Sequence, residues 1–362
     1  MLSKGRLWFA AMLLLGLAGC GASSSHTIYL ALPTVNGVAA FRVTDDSGKF
    51  TPIVGSPYVA GNSPGPLAVH PSGKFLYVAN QIDNTISLFN IDSSIGSLSE
   101  VKPRANTGLS PSSMVMSSSG SFLFVANAVS TNISVYSIDS GSGALKEVAG
   151  SPFATPASPV SMAITPSGNW LYVVNSDLAQ VFAYSIAASG SLQTAGSFAV
   201  GAGAFGITVA PGGKFLYVAN SSDNTVSIFT INAGTGALTS ISGSPFEAGT
   251  TPVSLTVHPS GQYLYIANEG SSNITAYSID SNGVPTLITG QPFTTGTQPV
   301  LIASDPDGKF VYVVSQSAKT VASFEVTTST TSSTSGTVLG VLSSSQSTST
   351  GKTAAVSLGV GK

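Results

Sequence analysis

The eleven residues His70-Pro-Ser-Gly-Lys-Phe-Leu-Tyr-Val-Ala-Asn80 decide how this chain folds. They combine a tight turn with a strand. Proline suits the second position of a type I turn, and Gly73 then closes that turn. The apolar run that begins at Phe75 favours a β-strand, because valine and aromatic side chains fit a pleated surface. The segment therefore predicts a turn that leads directly into a buried strand.

The same segment recurs five more times along the chain. The glycines that close the six turns are spaced 47, 48, 45, 48 and 47 residues apart. A fixed period of this length indicates a solenoid or a propeller. The six copies are residues 70–80, 117–127, 165–175, 210–220, 258–268 and 305–315.

Each repeat contains four short apolar runs that are separated by turn residues. In the second repeat the runs are residues 66–70, 75–80, 85–91 and 97–101. They are rich in Val, Ile, Tyr and Phe, and no helical period persists through them. Four strands in a repeat of this length are typical of one blade of a β-propeller.

The two ends of the chain together supply a seventh blade. Residues 28–53 hold three strand-like runs, 28–32, 38–43 and 50–53, but no innermost one. Residues 354–360 resemble the innermost run at 251–257, so we expect them to complete this first blade. Such closure removes the open sheet edges that invite aggregation. The sequence thus predicts an all-β fold, one seven-bladed propeller of four-stranded blades over residues 27–362, with its first blade closed by the carboxyl-terminal strand.

A Ser/Thr-rich stretch, residues 327–352, interrupts the last repeat. Its composition fits a flexible linker. Residues 337–342 within it also fit a degenerate outer strand, and the sequence leaves both interpretations open.

Composition excludes several classes of protein. Charged residues make up only 8% of the chain and hydrophobic residues 43%, whereas disordered chains combine low hydrophobicity with high charge. A net charge of −2 without any basic run argues against nucleic-acid binding. The single cysteine excludes a disulfide framework and a thiolate zinc site. No cofactor and no metal site are predicted.

The amino terminus has the features of an export signal. Lys4 and Arg6 precede an apolar run at residues 7–17, which is too short to span a bilayer comfortably. Residues 17–20, Leu-Ala-Gly-Cys, resemble the bacterial lipobox, in which the cysteine is lipidated and becomes the first residue. We therefore expect a signal peptide at residues 1–19 and a lipidated Cys20 with its tether at residues 20–26. A plain signal peptide with a chance cysteine is the alternative.

This resemblance also predicts where the protein resides. Two or more acyl chains on Cys20 give the stable membrane attachment that a single chain does not. Gly21 is not the aspartate that retains such proteins at the inner membrane. We therefore expect an exported protein that is held at a membrane by its lipid anchor. The outer membrane or the periplasm is the favoured location.

The blade sequence resembles a known family. Pro-Ser-Gly-Lys-Phe-Leu-Tyr-Val-Ala-Asn followed by Asn-Thr and Val or Ile is similar to the lactonase-type seven-bladed propellers, which include 6-phosphogluconolactonase-like proteins and propellers with Tyr-Val-Thr-Asn repeats. The resemblance covers residues 26–360. It implies the propeller fold and an activity on lactones at the mouth of the central channel, which the turns between second and third strands surround.

The resemblance also points to one catalytic candidate. Residues 266–269, Ile-Ala-Asn-Glu, are similar to the Val-Asn-Glu of the lactonases, so Glu269 is a candidate general base. A solvated loop acid is the alternative. The enzymes also carry an Arg-His pair where an innermost strand begins. None of the six matching residues here is basic: Pro66, Ser113, Ser161, Gly206, Ser254 and Leu301.

Other charged residues are expected near the same mouth. Asp83, Asp177 and Asp223 fall at or near matching turns and, with Glu269, predict either an acidic ring for a cation or polyol or ordinary turn-forming residues. Arg104 and Lys319 are the cations expected nearby. By contrast, His70 and His258 are predicted at the opposite face and His26 in the tether.

Two classes of function remain open at this point. One is a binding protein of the cell envelope that holds a glycan, peptide or protein at the mouth. The other is a carboxylic-ester hydrolase that opens a lactone, with Glu269 as its base. The missing basic residues favour the first, and we expect no appreciable hydrolysis of a phosphorylated lactone.

Overall fold

The computed structural model describes residues 25–327, 340–351 and 355–361. In these residues 32 β-strands and one short 3₁₀ helix, Pro33–Val35, form seven antiparallel sheets. The sheets are the blades of one propeller, and the predicted fold class is confirmed.

Blades 2 to 7 repeat one strand order from the channel outwards. The innermost strands are β5 (Pro64–Val69), β9 (Pro111–Met116), β14 (Ser161–Ile164), β18 (Ala204–Val209), β23 (Pro252–Val257) and β28 (Pro299–Ser304). The second strands are β6 (Phe75–Asn80), β10 (Phe122–Asn127), β15 (Trp170–Asn175), β19 (Phe215–Asn220), β24 (Tyr263–Asn268) and β29 (Phe310–Ser315).

The outer half of each of these blades contains the third and fourth strands. The third strands are β7 (Thr85–Ile91), β11 (Asn132–Ile138), β16 (Gln180–Ile186), β20 (Thr225–Ile231), β25 (Asn273–Ile279) and β30 (Thr320–Val326). The outermost strands are β8 (Leu98–Asn106), β12 (Leu145–Glu147), β17 (Leu192–Ala199), β21 (Leu238–Ser240), β26 (Pro285–Leu287) and β31 (Leu342–Ser349). In blades 1, 3, 5 and 6 a two-residue strand also pairs with the third strand: β4 (Tyr58–Val59), β13 (Phe153–Ala154), β22 (Phe246–Glu247) and β27 (Phe293–Thr294).

Blade 1 is assembled from both ends of the chain, as the sequence predicts. Its strands are β1 (Ser25–Leu32), β2 (Gly37–Thr44), β3 (Phe50–Pro52) and, innermost, β32 (Ser357–Gly361). β32 pairs antiparallel with β1, and Leu358 lies opposite Leu30.

The propeller is held together between its blades. Each innermost strand contacts the next around the channel, and this ring closes from β28 through β32 to β5. Seven clusters of buried hydrophobic residues fill the seven junctions between neighbouring blades. The second strand of each blade is covered on both faces by the neighbouring blades. Strands such as β6 are therefore buried along their whole length.

The recurring turn has the geometry that its sequence predicts. The N–H of Gly73 donates to the carbonyl of His70 at 2.8 Å, which is the closing bond of a four-residue turn. Gly73 has a φ of +70°, a conformation that residues with a Cβ rarely adopt. The turn joins the innermost and second strands on the face opposite the mouth.

The asparagine that ends most second strands is a buried structural residue. Asn80 accepts the N–H of Gly61 at 2.9 Å and donates from Nδ2 to Thr85 at 3.1 Å and Ser87 at 3.0 Å. It therefore ties three segments of one blade together at the mouth. Asn220 and Asn268 make the equivalent bonds in blades 5 and 6.

The structure corrects two sequence predictions at the chain ends. Residues 25 and 26, which we assigned to the tether, lie in β1, while residues 1–24 lie outside the described residues. The outer strand expected at 337–342 is instead β31, which starts at Leu342 and pairs with all of β30. The linker interpretation is therefore wrong for residues 342–349, and residues 328–339 and 352–354 lie outside the described residues.

Candidate functional site

Glu269 lies at the mouth, immediately after the second strand of blade 6. Its backbone N–H donates to the carbonyl of Thr251 at 2.8 Å, which fixes the turn against the residue that precedes β23. The side chain is only 5% exposed. Glu269 is therefore not a solvated loop acid, and that alternative is wrong.

Gln298 holds the Glu269 carboxylate from the neighbouring blade. Its Nε2 donates to Glu269 Oε1 at 3.2 Å, and its own Oε1 accepts the hydroxyl of Ser317. Gln298 precedes β28, so one amide connects the mouth residues of blades 6 and 7. No motif of the repeat marks Gln298 in the sequence.

Gln81 occupies the position in blade 2 that Glu269 occupies in blade 6. Its backbone N–H donates to Ser63 at 2.9 Å, and its Nε2 donates to the carbonyl of Pro111, where β9 begins, at 2.9 Å. The side chain is buried and passes directly over Gly65. Gln81 was also missed, although a polar residue directly after the asparagine of the repeat is the same signal that identified Glu269.

Asp83 and Asp223 hold the backbone of the mouth loops. Asp83 accepts the N–H of Asn62 at 2.8 Å, and Asp223 accepts the N–H of Ala202 at 2.7 Å. Each bond fixes the segment that enters the blade, 21 residues upstream. Ser130 and Ser271 make the same bond in blades 3 and 6. The structure therefore favours the turn-forming interpretation of these two aspartates.

The four acids predicted to form a ring do not come together as a cation site in the described residues. Asp177 is exposed in the turn of blade 4. In the part of the chain that the structure describes, no three His, Cys, Asp or Glu residues come together in a way that would hold a metal ion. The four predicted acids are thus distributed around the mouth and serve different roles.

Arg104 is engaged in ion pairs at the outer edge of blade 2. Its Nε lies 2.7 Å from Glu100 Oε1 and its Nη1 lies 3.6 Å from Asp83 Oδ2. The hydrogen bond from the Asn62 N–H lowers the pKa of Asp83, and Arg104 acts in the same direction. Blade 2 lies across the channel from blade 6, so Arg104 is not brought to Glu269.

Lys319 is exposed in the turn between β29 and β30 of blade 7, one blade from Glu269. Its φ of +53° and its backbone bonds, from its N–H to Gln316 and from Thr350 to its carbonyl, fix the turn and leave the side chain at the surface. Of the two predicted cations, only Lys319 lies on the Glu269 side of the mouth.

The neutral residues where innermost strands begin have structural roles. Ser113 accepts the N–H of Met162 at 3.2 Å, and Ser254 accepts the N–H of Ile302 at 3.2 Å. Ser161 donates to the carbonyl of Phe205. Each hydroxyl thereby connects one innermost strand to the next.

The two histidines of the repeat lie at the opposite face, as predicted. His70 Nε2 is 3.1 Å from the carbonyl of Gly120, and His258 Nε2 is 2.7 Å from that of Gly308. Each Nδ1 accepts the N–H of a turn serine at 3.1 Å, so the neutral Nε2–H tautomer satisfies both nitrogens. Burial lowers the pKa of both imidazoles, with the turn carbonyls opposing that shift. They hold neighbouring blades together.

The fold and the mouth together define a closed seven-bladed propeller with one buried acid at the channel and neutral residues where innermost strands begin. The family model of the lactonase seven-bladed β-propeller matches residues 22–161 and 160–337. The chain therefore belongs to this family.

Solved structures are similar along nearly the whole chain. A candidate 6-phosphogluconolactonase from Bacteroides fragilis has 22% identity and a TM-score of 0.79, over 95% of this chain and 100% of that one. A similar candidate from Bacteroides uniformis has 19% identity and a TM-score of 0.79, over 93% and 100%. The periplasmic gluconolactonase of Pseudomonas aeruginosa has 20% identity and a TM-score of 0.76, over 94% and 99%. At these identities the likeness establishes the fold.

None of the curated proteins compared with the chain matches it. Within residues 25–327, 340–351 and 355–361, no helix has the length and apolar character needed to cross a bilayer.

Proposed function

We propose that this protein is an exported, lipid-anchored propeller of the cell envelope that binds an uncharged glycan, peptide or protein segment at its mouth. The observation that carries this proposal is that charged side chains around the mouth are paired with loop groups instead of facing a ligand. Asp83, Asp223 and Arg104 are engaged in holding loops, and the residues that begin the innermost strands are neutral. A neutral ligand meets these groups without an unpaired buried charge.

A titration of the full-length chain tests the binding proposal. Gluconolactone serves as the neutral probe and 6-phosphogluconolactone as the charged one. We expect the neutral lactone to bind about tenfold more tightly or better, because an unpaired phosphate charge loses its hydration on entering the mouth. Equal affinity, or preference for the phosphorylated probe, contradicts the proposal.

The anchoring proposal rests on Leu17, Cys20 and the residues between them. A Cys20→Ser chain lacks the thiol that would carry the lipid. We expect it to move from the washed membrane fraction to the soluble fraction after export, whereas a Ser23→Ala control stays with the membranes. Retention of the serine variant in the membranes contradicts lipidation.

Hydrolysis of an uncharged lactone is a second candidate, favoured by the buried Glu269 and its contact with Gln298. The carboxylate would accept a proton from water while the water oxygen attacks the lactone carbonyl. The ring C–O bond then breaks, and the same proton returns to the departing alkoxide. Gln298 would orient the carboxylate through its Nε2.

Proton release measured with both lactones separates the two candidates. The binding proposal predicts no turnover above background for either probe. Turnover of gluconolactone that is lost in Glu269→Gln and kept in Asp177→Asn, an exposed mouth carboxylate, establishes the hydrolase instead. Turnover of the phosphorylated lactone that depends on Glu269 overturns the neutral-ligand proposal as well.

A further inference from the structure

The first strand of the propeller begins on the face opposite the mouth. β1 is the second strand of blade 1, and Ser25, where it begins, pairs with Thr44 at the end of β2. At its other end Leu32 pairs with Gly37, beside the mouth. The recurring turns, such as the one that Gly73 closes, lie on the same face as Ser25, because every second strand begins there. We call this face the turn face.

The start of β1 is fixed at the closing junction. His26 Nδ1 lies 2.9 Å from Asp45 Oδ1, and His26 Nε2 lies 2.5 Å from the hydroxyl of Tyr312 in blade 7. The chain therefore joins the propeller at a defined point of the turn face, at Ser25. Two strands, β2 and β3, lie outside β1 in this blade, so the point is about 10 Å from the outer edge.

Few residues separate this point from the proposed lipid. Cys20 and Ser25 are five positions apart. A fully extended chain covers about 3.6 Å per residue, so the lipid attachment lies within about 18 Å of Ser25. β1 is eight residues long, which places the mouth about 23 Å from Ser25 at about 3.3 Å per residue. A tether of this length does not allow the mouth to reach the membrane surface.

The recurring turns give the turn face a polar surface. In all six of them, each exposed residue other than proline and glycine is polar, as Ser72, Lys74 and Gln262 are. Such side chains lie among phospholipid headgroups without leaving a polar group in hydrocarbon. The mouth loops include the exposed Asp177, whose charge opposes insertion into a bilayer. The chemistry of the two faces thus agrees with the limit that the tether sets.

We propose that the short tether holds the turn face against the phospholipid headgroups of the membrane that carries Cys20, with the mouth directed away from that membrane. This inference rests on the proposed function, since it takes Cys20 as the lipid attachment. It adds the surface that meets the membrane. It also adds the side from which a ligand arrives, which is the aqueous space and not the bilayer that holds the anchor.

Fluorophores at three points of the propeller measure its orientation. Cys20 is the only cysteine of the chain, and lipidation consumes its thiol, so each added cysteine is the one free thiol. Lys74→Cys and Ile82→Cys place the label on the turn face and at the mouth, at the two ends of β6. Val54→Cys, at a position that is 91% exposed, places it on the outer edge of blade 1. Each lipidated variant is purified from membranes and reconstituted into vesicles of phosphatidylethanolamine and phosphatidylglycerol with spin-labelled headgroups.

Quenching by the headgroup spin labels falls steeply with distance from the bilayer. We expect strong quenching of the label at Lys74, weaker quenching at Val54 and none at Ile82, which β6 holds about 20 Å further from the headgroups. Strongest quenching at Ile82 means that the mouth meets the membrane, and strongest quenching at Val54 means that the propeller lies on its side. Either result, or equal quenching at all three positions, overturns the inference.

A longer tether tests whether its length sets the orientation. An insertion of about twenty Gly and Ser residues after Ala22 adds up to about 70 Å of reach, well beyond the height of the propeller. We expect the difference in quenching between the labels at Lys74 and Ile82 to disappear in this chain. A difference that survives the insertion overturns the tether as the feature that orients the propeller.

Flotation with the vesicles separates this inference from the anchoring proposal. The parent chain and the three labelled variants should float with the vesicles, whereas Cys20→Ser should not. If the parent chain does not float, the anchor is contradicted and the orientation with it. If the chain floats through Cys20 and the three labels are quenched equally, the orientation alone is overturned and the anchor stands.

Discussion

On the face opposite the mouth, the junction of blades 2 and 3 and the junction of blades 7 and 1 use equivalent positions for different chemistry. In the first, His70 follows the innermost strand and contacts the carbonyl of Gly120. In the second, the equivalent residue is Asp305, which is 2% exposed and accepts the N–H of Lys309 at 2.8 Å. A neutral imidazole thus corresponds to a buried carboxyl group.

The tyrosines of the second strands differ between the same two junctions. Tyr77 donates its hydroxyl to the carbonyl of Gly143 in the next blade at 2.7 Å. Tyr312 is instead hydrogen-bonded to His26 Nε2 at 2.5 Å, and His26 Nδ1 lies 2.9 Å from Asp45. The closing junction therefore contains a chain of three ionisable side chains where the other contains a backbone acceptor.

The difference follows from how the ring is closed. Blade 1 contains both ends of the chain, and at its junction with blade 7 the paired residues His26 and Tyr312 are 286 positions apart. The start of β1 brings His26 and the β2–β3 turn brings Asp45 onto blade 7, where Asp305, Asp307 and Tyr312 face them. Closure thus concentrates titratable groups at a single junction.

Removal of β32 tests the closure most strongly. A chain that ends at residue 354 loses Ala355, Val356 and Leu358, whose side chains are at most 4% exposed. Burial of these side chains contributes about 5 kcal/mol. We expect the melting temperature to fall by on the order of 10 °C. Thermal unfolding followed by circular dichroism measures this, with a chain lacking only Lys362 as the control, and an unchanged melt contradicts closure by β32.

Asp305→Asn distinguishes the closing junction from the others. Burial raises the pKa of Asp305 from 3.8 to about 6, although the His26 imidazole opposes this. The protonated carboxyl is therefore favoured in the folded state, and its stabilisation is lost as pH rises through about 6. At neutral pH the amide variant should be more stable by up to about 3 kcal/mol, with little difference at pH 4.

Urea unfolding between pH 4 and pH 7 measures this difference, with Asp177→Asn as an exposed control. His70 and His258 predict the opposite trend at their junctions. Their pKa values are lowered by burial from 6.5, so the neutral form stabilises the fold, and this contribution is lost below pH 6.5 as pH falls through the lowered pKa. If the asparagine variant shows the same stability profile as the parent chain, the carboxyl of Asp305 is not the group that distinguishes the junction.

The strand bounds could be predicted wherever one copy of the repeat could be compared with the others. β6 and β7 have the predicted bounds because Pro-Ser-Gly fixes one end of the hairpin and the buried Asn80 fixes the other. The mouth position of Glu269 followed from its place after Asn268. Where the pattern is weak the bounds were wrong, as for β31, whose residues Leu-Ser-Ser-Ser-Gln-Ser-Thr-Ser lack apolar alternation.

Contacts between blades could not be predicted in the same way. Asp83 and Asp223 bond to backbone groups 21 residues upstream, and only the folded loops bring these together. Gln298 contacts Glu269 across a blade junction. The two residues are 29 positions apart, so no local sequence pattern predicts this contact. His26 was assigned to the tether because polar residues precede the first apolar run. One of its partners, Asp45, lies 19 residues away, and the other, Tyr312, lies 286 residues away.

The smallest predicted effect concerns the hydrogen bonds that second-strand tyrosines make to a turn of the next blade. One of these turns is shorter by one residue. Tyr29, Tyr77, Tyr172 and Tyr265 each donate to the carbonyl of a turn glycine in the next blade at 2.7 to 2.9 Å. Tyr217 faces the turn of blade 6, in which the N–H of Gly283 bonds three residues back rather than four. Among the described residues, its buried hydroxyl has no hydrogen-bond partner.

Blade 3 indicates what this difference means. There the equivalent residue is Phe124, and the facing turn of blade 4 is also short, since the N–H of Gly190 bonds to Ala187. A short turn thus goes with a side chain that needs no acceptor. We expect Tyr77→Phe to lower the free energy of unfolding by about 1 kcal/mol, the net value of a typical hydrogen bond. Tyr217→Phe should leave it unchanged or raise it, because removing an unpaired buried hydroxyl carries no such loss. Paired urea titrations of the two variants measure the difference, and equal losses would mean that the turn carbonyls do not set the strength of these junctions.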